Sequence, residues 1–315
     1  MKKILLSGSI VLLSISVLGQ GNTDLRLNLE KNKLYTLKSV SEQTVNQTIN
    51  GNTQSVDTRV DYTLSIKMID LTPEFMITEV HLDTIATKSN SMGKILNFSS
   101  ANEGNLKSSE TADVLSCIMN RLSKNALYVK MDFTGKPVEI VNLKMLSDLV
   151  LKDTSTITLN GMMKDAIRKQ IENVVSDDNL KTMIGMFTWR LPGKQVATGD
   201  SWKLSEQMNS GGMMLSIGTT YHLDGLKGDM ANLTAESEIK AADNAVPIKS
   251  AGATVTYDNL KGLSKSTMVL DIRTGLAVEE NSKSHISGTL GISAAGMNMQ
   301  MPMDINGETK IKAIQ

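Results

Sequence analysis

One stretch of the sequence limits the fold more than any other. From residue 55 to residue 68, apolar side chains fall mainly on even positions and polar side chains on odd positions. Successive side chains of a β-strand point to opposite faces, so this pattern predicts a strand with one buried and one solvated face, as in antiparallel sheets. At about 3.3 Å per residue the strand would be over about 40 Å long, which requires the sheet to bend or coil.

A tight turn precedes this strand. Asn50-Gly51 is the dipeptide best suited to the positive φ angles of a two-residue hairpin, and residues 34–49 before it have the composition of a partner strand. A third strand is predicted from residue 76, followed by a Ser-, Asn- and Gly-rich link at residues 89–109. We therefore expect an α+β fold built on antiparallel, strongly curved sheets.

The segment from residue 160 to residue 202 predicts two short helices, each with one apolar face, followed by a stretch that holds both tryptophans, Trp189 and Trp202. We interpret it as part of a central helical link between two related β-rich halves. The helices at residues 111–123 and 143–187 are expected to pack on the apolar face of the sheets.

The predicted organisation has four parts. Residues 1–19 are a signal peptide, residues 20–140 the first β-rich half, residues 141–190 the helical link and residues 191–315 the second β-rich half. The two halves and the link are expected to fold as one compact unit, because both sheets are needed to cover the apolar helix faces.

A short sequence similarity suggests that the two halves are related. Thr134-Gly-Lys-Pro-Val-Glu139 is matched by Thr274-Gly-Leu-Ala-Val-Glu279, which has the same strand, turn and strand pattern 140 residues later. Together with a similar order of predicted elements, this predicts an internal duplication.

The first 19 residues have the features of a secretory signal. Lys2 and Lys3 precede an apolar run that ends before Gly19, so cleavage is expected near Gln20. The run is short and Ser-rich for a transmembrane helix, and no later segment approaches the roughly 20 apolar residues that a span requires. We expect a bacterial protein exported to the periplasm or beyond.

Composition argues against several classes of function. Without Lys2 and Lys3 the chain has 31 basic and 33 acidic residues, a net charge of −2, and no segment concentrates the basic ones, which argues against nucleic acid as a partner. Cys117 is the single cysteine, so an internal disulfide and a multi-cysteine metal site are excluded. No cofactor is expected.

No catalytic signature occurs in the sequence. Residues 91–94 fit S-x-x-K, but the motifs that accompany it in penicillin-recognising enzymes are missing. The three histidines fall on the polar faces of separate predicted strands, where solvation explains them. We expect a protein that is not an enzyme.

The last predicted strand carries a methionine ladder, Met297, Met299, Met301 and Met303, which alternates with polar residues. Pro302 within it indicates a strand at or near an edge. Flexible thioethers suit an irregular core or a pliable cavity, and we expect the four methionines to be buried. With Trp189 and Trp202 they are the candidate ligand-binding residues, for a hydrophobic ligand such as a lipid or acyl chain. A Cu(I) site is an alternative for the ladder.

A second function remains open. The chain could be a structural or protein-interaction module of the cell envelope, with helices that fill the sheets and no small-molecule ligand. A continuous apolar cavity of several hundred Å³ that opens to solvent would favour the binding function, whereas a fully packed interface would favour the structural one.

The Pro-Gly-Lys-x-Val-x-x-Gly-Asp-x-Trp segment from Pro192 to Trp202, together with the predicted layout, resembles an uncharacterised family of secreted bacterial proteins known as a domain of unknown function. The resemblance is strongest over residues 120–205 and implies no activity. Long curved strands around a helix are also similar to periplasmic lipoprotein carriers with open half-barrels, a likeness of fold alone.

Overall fold

The computed structural model describes residues 22–49, 51–210, 213–250, 253–294 and 297–314. The predicted signal peptide and Asn50 lie outside these ranges. The described strands are β1 (Thr23–Leu25), β2 (Leu34–Ile49), β3 (Asn52–Leu71), β4 (Met76–Ser91), β5 (Lys94–Ser99), β6 (Leu127–Met131), β7 (Pro137–Ile140), β8 (Lys194–Val196), β9 (Ser201–Ser210), β10 (Met213–Lys227), β11 (Met230–Ala241), β12 (Ile248–Ser250), β13 (Ala253–Asp271), β14 (Ala277–Ala294) and β15 (Met297–Ile314). The helices are α1 (Thr111–Ser123), α2 (Leu143–Val150), α3 (Gly161–Val174) and α4 (Asp177–Thr188), with a 3₁₀ turn at Thr154–Thr156.

Within the described ranges, 13 strands form one sheet in the order β7-β6-β4-β3-β2-β15-β14-β13-β11-β10-β9, with β5 beside β4 and β12 beside β13. The neighbouring strands pair antiparallel, which confirms the predicted antiparallel architecture. β1 and β8 form a separate two-stranded sheet. The path ends at β7 and β9, so the large sheet is not closed. No described helix is long and apolar enough to cross a membrane.

The strand predicted from alternation is β3, which has 20 residues. Its even-numbered Leu64 and Ile66 are fully buried, whereas odd-numbered Arg59 is exposed. Ile49 pairs with Asn52, and Gly51 between them has φ 79°, as a two-residue hairpin requires. The buried positions define the inner face of the sheet, and the opposite positions define its outer face.

The sheet curls around its inner face. Asn209 of β9 and Tyr62 of β3 line the same cavity, although seven strand positions separate β9 from β3. At about 4.8 Å per strand, a flat sheet would hold them more than about 30 Å apart. The sheet therefore bends until its second half approaches its first.

The two halves meet where β15 pairs with β2, from Met303 opposite Gln47 to Ile314 opposite Thr36. From this centre, the first half runs outward to β7 in chain order, whereas the second half runs inward from β9. The Thr134-Gly135 turn therefore connects β6 and β7, the outermost hairpin of the first half. The Thr274-Gly275 turn connects the inner strands β13 and β14. This strand order does not confirm an internal duplication.

The prediction that the methionine strand lies at or near an edge is wrong for β15 as a whole, which lies between β14 and β2 from Met303 onward. It holds for residues 297–302, which pair with β14 alone. Pro302 sits one residue beyond the last β2 pair, at Met303. Its missing N–H therefore removes no hydrogen bond to β2.

The inner face holds two apolar clusters. The larger contains residues of both halves and of the helices, for example Leu64, Leu122, Phe187 and Leu233. The smaller contains strand residues alone: its buried members are Leu215, Ile239, Leu260, Met303 and Ile305. The helices thus fill the concavity at one end, here called the base. The division into residues 20–140, 141–190 and 191–315 stays a prediction.

Candidate functional site

The candidate site is a cavity of about 640 Å³ between the inner face of the sheet and the helices. Strands β3, β4 and β5 form one wall, α1, α3 and α4 form the opposite wall, and Asn209 of β9 lies at the margin. The helix walls exist because the apolar faces of α3 and α4 turn toward the sheet: Ile171 and Ile184 are buried in the larger cluster.

The lining of this cavity is amphipathic. Half of its residues have apolar or aromatic bodies: Tyr62, Ile85, Phe98, Met119, Val174 and Met183. The others are polar: Thr87, Lys169, Gln170, Asn173, Asn179 and Asn209. Among the described lining residues Lys169 carries the only charge, and none is acidic. Burial raises the pKa of the Tyr62 hydroxyl, so this ring remains neutral well above physiological pH.

A second, smaller cavity of about 190 Å³ lies on the same inner face. Its apolar wall includes Met208, Leu215, Leu260 and Ile305, which belong to the smaller cluster or pack against it. Hydroxyl groups of Ser41, Ser284 and Thr309 complete the lining. This volume suits a chain end or a few waters better than a whole ligand.

A band of hydroxyl side chains, here called the hydroxyl belt, separates the two clusters on the inner face. Its members pair across strands: Ser41 with Thr309 at 3.0 Å, Ser264 with Ser282 at 3.0 Å, and Thr219 with Ser237 at 2.9 Å. On β2 the belt falls between Leu37 of the larger cluster and Val45 beside the smaller one, and on β15 between Ile311 and Ile305. The middle of the concavity is thus polar and largely uncharged.

One ion pair is buried beside the belt. Arg190, just after α4, pairs with Glu280 of β14 and donates from Nη2 to the Met186 carbonyl at 2.6 Å, while its Nε has no hydrogen-bond partner in the described part of the chain. Sequence reasoning missed this pair. Its one sequence signal was an arginine in the mostly apolar run from Phe187 to Leu191.

Two further titratable groups face the same region. Burial raises the pKa of the Glu206 carboxyl, and the positive charge of Lys136 partly offsets this. Burial also raises the pKa of Tyr221 to about 12, with Arg190 acting in the opposite direction. Tyr221 stacks on Trp202, with ring centroids 5.6 Å apart and planes within 8°.

The tryptophans take structural positions. Trp202 is 7% exposed and donates from Nε1 to the Arg190 carbonyl at 2.9 Å. Trp189 is half-buried under the Lys136 ammonium, which lies 4.6 Å from its ring centroid. Neither is among the described residues that line the 640 Å³ cavity.

The methionine ladder spans a gradient of burial. Met301 and Met303 are buried and Met299 is half-buried, but Met297 is 72% exposed, so the prediction that all four are buried is wrong for Met297. Met297 is exposed because the first residues of β15 extend past the end of β2 and pair with β14 alone. None of the four lines the 640 Å³ cavity, and the structure does not bring the ladder and Trp202 into one cluster. Their roles in ligand binding stay predictions.

A larger depression, of about 840 Å³, lies on the outer face. Its walls carry many charged side chains, among which Arg59 pairs with Glu42 at 2.7 Å. Because outer-face charges of this kind are solvated, we place the candidate site on the inner face instead.

A serine and a histidine meet on the outer face. Ser201 Oγ lies 2.6 Å from His222 Nδ1, but both side chains are exposed, and Glu236 on the next strand accepts a hydrogen bond from Lys265 at 2.8 Å. Nucleophilic catalysis needs a base oriented by a third group, so this geometry is that of a cross-strand pair. No group of three or more His, Cys, Asp or Glu that could hold a metal ion occurs in the described ranges.

The chain matches a family of unknown function, DUF6263, over residues 73–277. This protein belongs to the DUF6263 family. The match confirms the resemblance seen in the sequence, and it includes the cavity walls formed by β4, β5 and the helices. No curated protein matches this DUF6263 member.

Solved structures that resemble the DUF6263 chain share little sequence with it. Lipovitellin aligns with a TM-score of 0.48 at 8% identity, over 91% of this chain and 26% of its own, so the chain spans about a quarter of that protein. An outer membrane channel from Pseudomonas putida F1 aligns with a TM-score of 0.25 at 8% identity, over 91% of this chain and 97% of its own. A DUF1329 family protein from Desulfovibrio piger aligns at 0.13 and 9% identity, over 86% and 83%. At such scores these likenesses assign no function.

Proposed function

We propose that this protein is an exported, non-enzymatic binding protein that holds a hydrophobic ligand, such as a lipid or acyl chain, on the inner face of its curled sheet. The observation that carries the proposal is the 640 Å³ cavity with six apolar lining side chains. Ligand sites in proteins have volumes of about 300–1,000 Å³ and mostly apolar walls with a few polar groups. The proposed location is the periplasm or the outside of a bacterial cell.

The polar part of the lining indicates which ligand would fit. Lys169, Gln170 and Asn173 lie within one turn and a half of α3, and each is exposed at the cavity margin. With one ammonium, several amides and no described carboxylate in the lining, an apolar chain that ends in an acidic group would bind better than a basic amphiphile.

A direct test is the binding of a dansyl-labelled fatty acid by the chain that begins at Gln20. Met183→Trp should fill the cavity, because Met183 extends from α4 into it, and should weaken binding at least tenfold. Met145→Trp is the matched control, since Met145 is on α2 and 55% exposed. Equal binding by both variants would contradict the proposal.

Native mass spectrometry of the protein from its own cell envelope tests the physiological ligand. A lipid that co-purifies with the natural sequence and is lost in Met183→Trp supports the proposal. If neither a lipid nor a fatty-acid probe binds, the second function is favoured: a structural or interaction module whose concavity is filled by its own helices, as the packed larger cluster would allow.

A further inference from the structure

The strand ends opposite the helix-filled base form a rim of hairpins. Ile49 pairs with Asn52, Ser91 with Lys94, Met213 with Ser210 and Ala294 with Met297, and the registers between these hairpins place all of them at one end of the sheet. The smaller apolar cluster, from Leu215 to Ile305, lies on the inner face next to this end.

Large apolar side chains are exposed on the rim. They are Met92 at 69%, Ile95 at 65%, Val246 at 70% and Met297 at 72% exposure. These four residues are here called the rim residues. They lie in or directly beside three separate connections, β4–β5, β11–β12 and β14–β15, so the exposure is a property of this end of the sheet and not of one loop.

The rim sequences are also almost free of charge. Residues 43–56, 207–218 and 286–303 contain no Asp, Glu, Lys or Arg, whereas 21% of the chain is charged. Residues 89–97 contain one charged residue, Lys94, and residues 242–257, which begin directly after β11, contain two, Asp243 and Lys249. Farther from the rim the outer face is densely charged, as the pairs of Arg59 with Glu42 and of Lys265 with Glu236 show. The density of charged residues thus decreases toward the rim.

Met92 is in a position that the fold disfavours. Met92 and Gly93 form the two-residue turn between Ser91 and Lys94, with φ angles of 50° and 78°. Such turns favour Asn, Asp or Gly at both positions, because other side chains rarely adopt positive φ. A methionine there serves neither the turn nor solubility, which points to a contact outside the folded chain.

We propose that the rim residues contact the surface of a lipid bilayer, with Met92, Ile95, Val246 and Met297 inserted among the lipid head groups and upper acyl chains. Uncharged Asn, Gln, Ser and Thr around them suit the interfacial layer, and anionic lipids would attract Lys94, which follows the Met92-Gly93 turn. The acidic residue of the β11–β12 connection, Asp243, pairs with Lys240 at 3.1 Å. This contact is independent of ligand binding in the 640 Å³ cavity.

The shape of the rim favours a bilayer over a second protein. A stable protein interface buries about 1,600 Å² of closely fitting surface. The rim offers apolar tips on separate hairpins around an open concavity, which a fluid lipid surface can accommodate and a rigid partner cannot cover without gaps.

The test is sedimentation of the chain from Gln20 with phosphatidylcholine vesicles and with vesicles that also contain phosphatidylglycerol. The decisive variant combines Met92→Asn, Ile95→Thr and Met297→Thr. We expect vesicle binding to fall at least tenfold, while Met92→Asn alone raises the melting temperature because asparagine tolerates the turn. The control combines Leu34→Thr and Leu71→Thr, residues 60% and 54% exposed at the opposite end of the sheet, and should bind as the natural sequence does.

Each outcome decides the proposal. Loss of binding in the rim variant alone supports it, and stronger binding to phosphatidylglycerol assigns a role to the rim lysines. No sedimentation of the natural sequence with either vesicle, or equal loss in the rim and control variants, overturns it. Self-association that disappears in the rim variant, without vesicle binding, would show that the rim contacts a second copy of the chain. The rim variant should still bind the dansyl fatty acid. Its loss of vesicle binding would then be independent of ligand binding in the cavity.

Discussion

Arg190 and Glu280 form an ion pair inside the curled sheet, with side chains only 5% and 14% exposed. The pair joins Arg190, two residues beyond the end of α4, to strand β14 of the second half. Because Arg190 also donates to the Met186 carbonyl and its own carbonyl accepts from Trp202, it fixes the end of the helical segment against two strands.

Loss of one partner should therefore be severe. We expect Arg190→Met to lower the free energy of unfolding by about 3–5 kcal/mol, since Glu280 would keep a buried charge without a partner. Denaturant unfolding measures the loss. Arg59→Met is the control, because Arg59 pairs with Glu42 on the solvated outer face and should cost less than about 1 kcal/mol. Similar losses in both variants would show that the buried pair contributes little.

Ionisation of Tyr221 should lower the stability of the folded protein at alkaline pH. Its folded pKa of about 12 exceeds the ordinary value of 10, so the unfolded state releases this proton first as pH rises. The free energy of unfolding should therefore be unaffected by this group below pH 10 and fall between about pH 10 and 12. Denaturant unfolding at several pH values tests this, and Tyr221→Phe should flatten the decline. An ultraviolet titration in which all five tyrosines ionise together near pH 10 would contradict it.

The sequence predicted the sheet well where hydrophobic alternation is strict. Alternation at residues 55–68 identified β3, and Asn50-Gly51 identified its turn, because both are local features. The hairpin of β4 and β5 was missed, since residues 89–99 have the Ser- and Asn-rich composition of a link. Here long-range pairing with β4 overrides local propensity.

Long-range relations were beyond the sequence. Pairing of β15 with β2 joins residues more than 250 positions apart, and no local pattern specifies it. The cavity lies between β3 to β5 on one side and α1, α3 and α4 on the other, so it depends on how the sheet and the helices come together, which no local pattern specifies. The Met ladder and the tryptophans were chosen by residue type, which does not show whether a side chain meets a cavity or fills a core.

Gly135 should be intolerant of a side chain. It has φ 85°, and a Cβ atom there would lie 2.1 Å from the Thr188 carbonyl oxygen. Gly228 has φ 58° in the β10–β11 turn with nothing within 4 Å. We expect Gly228→Ala to cost about 1–2 kcal/mol from the backbone alone and Gly135→Ala about 1–3 kcal/mol more from the clash. Thermal unfolding compares the two, and equal losses would mean that α4 moves aside freely.

The methionine ladder should act mainly as packing at its buried end. Met303 is 5% exposed in the smaller cluster, so Met303→Leu should cost less than about 1.5 kcal/mol, whereas Met303→Asp should unfold this end because its carboxylate would be desolvated without a partner. Met297→Leu, at an exposed position, should leave stability unchanged. Cu(I) binding that disappears on Met303→Leu with the fold intact would establish the metal alternative.

The two halves should unfold together. β15 pairs with β2 over twelve residues, and the N-terminal segment donates backbone hydrogen bonds to both halves, from Leu27 to Phe133 at 2.8 Å and from Asn28 to Thr274 at 3.0 Å. The larger cluster also takes side chains from both, so neither half can expose its inner face without exposing the other's. Ile311 is 3% exposed near the C-terminal end of β15. Ile311→Ala should lower the stability of the whole chain by about 2–5 kcal/mol and move a single calorimetric transition to lower temperature, while Ile314→Ala at 46% exposure should move it little. Two separated transitions, of which Ile311→Ala moves only one, would show that the halves are independent folding units despite the strand that joins them.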